Sequence, residues 1–490
     1  MQNMPKVKLG IVGVSRDCFP VELTKRRLAD LVKAATKAKV DVIPATTIIE
    51  NESHASAALK ELSDAGANAC VIYLGNFGPE GPTTIFIRDF NGPVMVCAAA
   101  EETGKNLIDG RGDAYCGLLN CSYNLALRNL RAHIPEKPVG TPEQLVPEIK
   151  RFSKIAAAAI AVKKLKVIAF GPRPHDFYAC NAPIKPLYNL GIEVMENSEL
   201  DLFERFNAEP DSKETDAIAS DMKKELGGKP PYPDLLKKLA RFENALVKFV
   251  ESSKGRSEYV VLANKCWPAF QTSFGFVPCY VNSRLASRGI PVACEVDMYG
   301  AVSEYLAQVA SGLPATILDI NNTTPADMMS KKKAGGPENS DLFMGFHCGN
   351  TPSCHLCNPS MKFQLIMRRL LEPASEPNIS RGTLEGQLKP GPVTLFRLQG
   401  AADGRLMSYV AEGKVEDIDP KSFGAIGIIN VKEMGRFYRH TLVGGNFPHH
   451  AAVAFDSVGG ILFDTVKLIA GISPAYPLPS GTLYPGENPF

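Results

Sequence analysis

Between Pro291 and Asn322 the hydrophobic pattern changes period twice. Val292 to Glu295 is short, β-branched and bounded by Pro291, as a strand would be. From Met298 onward, Val302, Tyr305, Leu306 and Val309 recur at helical spacing until Gly312 and Pro314 close the run. A second apolar strand, Ala315 to Leu318, stops at Asp319. This succession predicts a βαβ unit with a right-handed crossover and two parallel strands. Glu295 and Asp319 then stand at carboxyl ends, the edge where open α/β sheets bind ligands. Two carboxylates side by side repel, so the pair calls for a cation between them or for acid-base work, unless the acids only cap helices or join ion pairs.

The same alternation fills the first part of the chain. Lys8 to Val14, Val42 to Ile49, Ala69 to Leu74 and Pro93 to Ala98 read as strands, with helices over Val21 to Ala38 and Ala55 to Ala65. That order predicts a doubly wound parallel sheet. The loops after these strands hold Ser15, Arg16 and Asp17, then Gly75 to Pro82, with no dinucleotide or P-loop glycine signature. Arg16, at a strand's carboxyl end, is in place for a polar ligand or for a salt bridge.

A helical stretch around Pro147 to Val162 leads into a second α/β region. Leu165 to Phe170, Gly191 to Met195 and Tyr259 to Ala263 are its strands, and Asp234 to Ser252 is a long helix. Ala263 feeds Asn264, Lys265, Cys266 and Trp267, the one tryptophan of the chain, which reads as a wall residue of a core or a pocket. Thr323 to Asp341 is a polar loop that includes Lys331-Lys332-Lys333 and Gly335-Gly336-Pro337. From Val393 short strands separated by turn residues predict a β-rich region. The expected fold is α/β: two doubly wound, Rossmann-like parallel-sheet domains followed by a mainly antiparallel β domain. Their expected bounds are residues 1–162, residues 163–365 with Glu295 and Asp319, and residues 366–490 with His450.

Composition narrows the functional classes. The chain has 490 residues, 45% hydrophobic and 22% charged, and 54 basic against 52 acidic side chains leave it at +2. No basic surplus points to nucleic acid, and no apolar run reaches the length of a membrane span. The N-terminal MQNMPKVKLG lacks a signal-peptide core, so a cytoplasmic location is expected. Most of the twelve cysteines lie inside apolar strands, as Cys70, Cys97 and Cys294 do, where a small buried thiol is their ordinary use.

Histidine is scarce, eight in all, so the adjacent His449 and His450 in a Gly/Pro turn carry information. Either they fill a core hydrogen bond and face water, or one supplies the nitrogen ligand to a divalent ion held by Glu295 and Asp319. His347 is a further ligand or a hydrogen-bond donor to substrate. Cys348, Cys354 and Cys357 with a nearby histidine can make a structural zinc site, but a second regularly spaced cysteine pair is missing.

Lys265-Cys266-Trp267-Pro268, the run ACEVDMYGA with Glu295, Asp319 further on, FHCGN at His347, and Asn446-x-x-x-His450 together resemble the L-fucose isomerase and L-arabinose isomerase family, most closely the L-fucose isomerase-like proteins. The likeness runs from Lys265 onward, and the first domain shares only its general α/β character. It implies an aldose-ketose isomerase acting on a small sugar such as L-fucose, L-arabinose or D-arabinose through a cis-enediolate. It also implies a homo-oligomer, trimer or hexamer, with Mn2+ or another divalent cation on Glu295, Asp319 and His450. His347 is then a possible fourth ligand, and Asn446, His449, Trp267 and Arg16 are candidate sugar contacts. Of the two acids, Glu295, with the longer side chain, is expected to be the carbon base. A non-catalytic sugar-binding protein and a metal-dependent aldolase or hydrolase are the alternatives.

Overall fold

The computed structural model describes residues 3–328 and 339–490. The Lys331-Lys332-Lys333 and Gly335-Gly336-Pro337 segments lie outside the described residues. The chain forms two compact units, Pro5–Ile160 with Asp464–Gly471, and Ala161–Phe463 with Ile472–Phe490 and the residues before Pro5.

The first unit is built on five parallel strands: β1 (Leu9–Val14), β2 (Ile43–Pro44), β3 (Ala69–Leu74), β4 (Val94–Ala99) and β5 (Val139–Gly140). Their order is β2-β1-β3-β4-β5, a doubly wound arrangement. β1, β3 and β4 are buried along their whole length, which explains continuous apolar runs in place of alternation. The expected strand over Val42 to Ile49 shrinks to β2 and one bridge from Ile49 to Val14. The helix Ala114–Leu127 packs on β3 and β4. A Cβ at its Gly117 would fall 1.9 Å from the Phe77 carbonyl oxygen, so only glycine lets the two backbones approach.

The second unit holds two sheets. β6 (Leu165–Gly171), β7 (Glu193–Ser198), β8 (Tyr259–Ala263) and β9 (Val292–Ala293) form a parallel sheet in the order β7-β6-β8-β9. β10 (Thr316–Thr323), β11 (Leu342–His347), β12 (Leu356–Phe363), β13 (Arg381–Leu388), β14 (Gly391–Gly400), β15 (Leu406–Glu416), β16 (Ala425–Asn430) and β17 (His450–Ala454) form a mainly antiparallel one. Its order is β11-β10-β17-β14-β15-β16-β13-β12, and β16 also pairs along β11. Six strands thereby close on themselves, leaving β13 and β12 as an extension from β16. The expected α/β class, two parallel sheets and a mainly antiparallel C-terminal one, is what the chain adopts.

The expected βαβ unit is not formed. β10 leaves the parallel sheet and runs antiparallel to β17 and β11. The reason lies in the intervening helix, Met298–Ser311, which is buried almost all round. It packs on β8 of the parallel sheet and on β14 and β17 of the closed sheet. An element covered by two sheets sends its flanking strands into different ones, and periodicity alone does not reveal that. Asp319 is therefore an interior position of β10, and its strand belongs with the β-rich region.

Gly117→Ala tests the close approach in the first unit. It should lower the first unit's urea midpoint, with a loss of about 1–3 kcal/mol as for other overpacked sites, while Gly81→Ala, where an added Cβ meets nothing within 4 Å and the backbone is not left-handed, should not lower it.

Candidate active site

Asp319 and His450 face each other as register partners across the β10–β17 ladder. Glu295 arrives from the other sheet, in the turn that follows β9. Its φ is 62° and that of Val296 is 60°, left-handed conformations that cost of order 1–3 kcal/mol each outside glycine. The turn is held by Val296 N–H donating to the Asn264 carbonyl at 2.9 Å. Its effect is to aim the Glu295 carboxylate at the barrel pair.

The three side chains meet. His450 Nε2 lies 3.4 Å from Glu295 Oε2 and 3.4 Å from Asp319 Oδ1. Each of these three atoms is buried and has no hydrogen-bond partner, although buried polar atoms are nearly always satisfied. Donors about 2.1 Å from a shared divalent ion stand roughly 3.0–3.4 Å apart, depending on geometry. Each acid stands at such a distance from His450 Nε2, and no donor group that lies wholly within 4.8 Å contains both acids among the described residues. His449 joins Glu295 and His450, and His347 joins Asp319 and His450, in donor groups that lie within 4.8 Å of one another.

Behind His450 stands a residue whose role the sequence did not reveal. Asp297 is 2% exposed and accepts from His450 Nδ1 at 2.8 Å, which leaves Nε2 for the centre of the cluster. Arg397, fully buried, clamps the same carboxylate from Nη1 at 2.5 Å and Nη2 at 2.9 Å. Gln399 accepts from the Arg397 Nε at 2.9 Å. Asp297 also takes the Gly300 N–H at 2.8 Å and so caps the buried helix. A Cβ at Gly300 would come within 2.5 Å of that carboxylate. The legible signals were an acid one residue before a helix start and a lone arginine inside the apolar run VTLFRLQ.

The charges follow from these contacts. Burial pushes Asp297 upward, but Arg397 and His450 outweigh it and hold the carboxyl well below its usual range. Burial works against a charged His450, yet the contacts of its Nδ1 with Asp297 and Cys180 and the nearby Glu295 carboxylate raise it well above the ordinary histidine value. Asp319 is pushed up to about 7 by burial and by Glu295, with His450 opposing. Burial raises Glu295, whereas His450, His347 and Trp267 bring it below its ordinary value. Burial, with help from His450, lowers His347 to about 3. Its Nδ1 accepts from the Cys348 N–H at 2.9 Å, so the neutral ring carries its proton on Nε2 and presents a donor.

Trp267 donates from Nε1 to Glu295 Oε1 at 3.2 Å. Its ring meets His175 and Phe177 edge-on, and Phe177 in turn meets His449, so Trp267 is a wall of this site. Lys265 ties that wall to the neighbouring loop through the Pro172 carbonyl and Glu199. His449 Nε2 lies 3.6 Å from Asp319 Oδ1. Asn446 is exposed, in a left-handed turn at φ 59°. Arg16 belongs to the first unit, where it pairs with Glu80 and stacks over Phe77. Cys354 is exposed, and Cys348 sits by Gln364. Among the described residues neither joins a three-donor group with Cys357.

Two family models match the chain. One, the N-terminal domain of fucose/sulfoquinovose isomerase, covers residues 10–163, and the other, the C-terminal domain of L-fucose isomerase, covers residues 345–473. The chain belongs to the L-fucose isomerase family. The first match extends this family's likeness to the N-terminal α/β region, where the sequence motifs gave only general character. The second contains His347, Asn446, His449 and His450, and Glu295 and Asp319 fall between the two. Relatives in this family include the sulfoquinovose isomerase of Alkalicoccus urumqiensis, 26% identical over 305 residues, 60% of this chain and 61% of that protein. That of Priestia aryabhattai is 24% identical over 337 residues, 67% of this chain and 69% of the relative. That of Clostridium sp. (strain MSTE9) is 26% identical over 307 residues, 59% and 60% respectively. The chain thus spans less than two thirds of the length of the first and last of these.

Two outcomes test the electrostatics. Arg397→Met strands the Asp297 charge in the interior and should cost about 3–5 kcal/mol of stability, read from denaturant unfolding. The folded Asp319 carboxyl binds its proton more tightly than the unfolded one, so its contribution is full below about pH 4 and lost as pH rises to about 7. The thermal midpoint of cation-free Asp319→Asn should therefore exceed that of the parent chain by a margin that grows across this window, and the gap should shrink when Mn2+ is added.

Proposed function

We propose that this protein is a divalent-cation-dependent aldose-ketose isomerase, with Glu295, Asp319 and His450 holding the cation. The observation that carries the reading is that two buried, unpartnered carboxylate oxygens, one from each side, lie 3.4 Å from the equally unpartnered His450 Nε2. In this reading His347 donates from Nε2 to a sugar oxygen, and His449 and Trp267 line the sugar. The family likeness brings a sulfosugar to the head of the candidate substrates, because the relatives are named for sulfoquinovose. L-fucose, L-arabinose and D-arabinose follow.

Isomerisation moves one proton between adjacent carbons and another between their oxygens. A bound cation supplies polarisation of the sugar's carbonyl, which makes the neighbouring C–H acidic. Glu295 takes the carbon-bound proton and returns it to the adjacent carbon, with the Trp267 indole holding its carboxylate in place. Asp319, pushed up to about 7, is suited to exchanging protons with the hydroxyl oxygens near neutral pH. Asp297 and Arg397 keep the His450 ring oriented throughout. The rings of Phe177 and Trp267 form an apolar wall beside the reacting carbons.

Incubation of the full chain with sulfoquinovose, L-fucose, L-arabinose and D-arabinose plus Mn2+ should give a ketose from at least one, abolished by EDTA and restored by Mn2+. Glu295→Gln should lower kcat about 10²–10⁴-fold, and in D2O the product should carry deuterium at the reacting carbon. Cleavage products would assign an aldolase or hydrolase. Sugar binding without turnover, unaffected by EDTA, would assign a binding protein. Full turnover by Glu295→Gln would remove the base from this scheme.

A further inference from the structure

The helix Ala114–Leu127 of the first unit presents an apolar face to solvent. Tyr115, Leu119, Tyr123 and Leu127, spaced four residues apart, are 72%, 62%, 64% and 65% exposed. The opposite side, Leu118, Cys121 and Leu125, is buried. The helix is therefore apolar on both sides, a pattern of helices that end up covered. None of its fourteen residues is Asp, Glu, Lys or Arg. The short helix before it adds Leu107 and Ile108, 44% and 95% exposed.

We infer that this outer face is where two copies of the chain associate, helix against antiparallel helix. Residues four apart form a ridge that fits the groove beside the same ridge of another helix. An uncharged ridge meets its own image without like-charge repulsion. Antiparallel pairing also brings Asp113, at the N-terminal end, toward Arg128 at the C-terminal end of the other copy, and it opposes the two helix dipoles favourably. The four stripe residues expose roughly 500 Å² of side chain, and Cys116, Asn120, Ser122 and Ala126 lie exposed beside them on the same helix. A stable interface takes about 800 Å² per partner, so the face is of the size that a second copy covers. A lipid surface would select a helix edged with Lys and Arg, and here the flanks are Cys116, Asn120, Ser122 and Ala126.

Sedimentation velocity on the full chain tests this surface without reference to catalysis. The native protein should sediment as a dimer or larger, and Leu119→Asp and Tyr123→Asp should each reduce the assembly mass at least twofold. Leu200→Asp, equally exposed on a helix of the second unit, should leave the mass unchanged. Circular dichroism establishes that each variant is folded. An assembly of native mass in both folded stripe variants would overturn the proposal. A monomeric native chain would also overturn it, and if the native chain then floated with phosphatidylglycerol vesicles and Leu119→Asp did not, the face would pass to a membrane partner.

Discussion

The site depends on one buried charge arrangement, Arg397 against Asp297 against His450. An arginine with no exposed surface is tolerable only where a carboxylate meets it in bidentate geometry. That carboxylate is simultaneously the cap of the buried helix and the orienting partner of the imidazole. Fold and chemistry are thus tied at a single side chain. The packing of Met298–Ser311 between two sheets sets where Asp297 sits, and Asp297 sets which nitrogen of His450 faces the two acids.

The cluster also shows where the fold gives up stability. Glu295 and Val296 hold left-handed conformations, and three buried polar atoms have no partner. Neither feature helps the chain to fold. Under the proposed reading both costs have one use, since a cation beside the strained turn would satisfy the carboxylate that the turn delivers and, by binding the folded state alone, would return stability.

Much of this was legible in the primary structure. The fully apolar strands of the first unit, the helix closed by Gly312, and the strand Tyr259 to Ala263 follow from period and punctuation alone. The meeting of Glu295, Asp319 and His450 followed from family motifs; the route to it did not. Periodicity marked Ala315 to Leu318 as a strand but not as antiparallel, because a helix buried on two sides leaves no amphipathic trace of which sheet comes next. β11, β12 and β13 were hidden by polar and glycine positions that a closed sheet accommodates at its ends and bulges. Asp297 was in view as a helix-start acid, yet its partner lies a hundred residues away, and a through-space charge pair has no local signature. Asn446 is exposed in its turn, and Arg16 is paired with Glu80 in the first unit.

Because β16 pairs back along β11, the strands that carry Asp319 and His450 have no free edge, and the ladder between them sets their separation as rigidly as two teeth on one comb. Glu295 stands on a separate frame. Any small sliding of the parallel sheet over the barrel would change the distances from Glu295 to Asp319 and His450 and leave the distance between those two untouched. Ion capture would then report on sheet alignment, and an ion of different radius would be met by a shift of one scaffold without distortion of either.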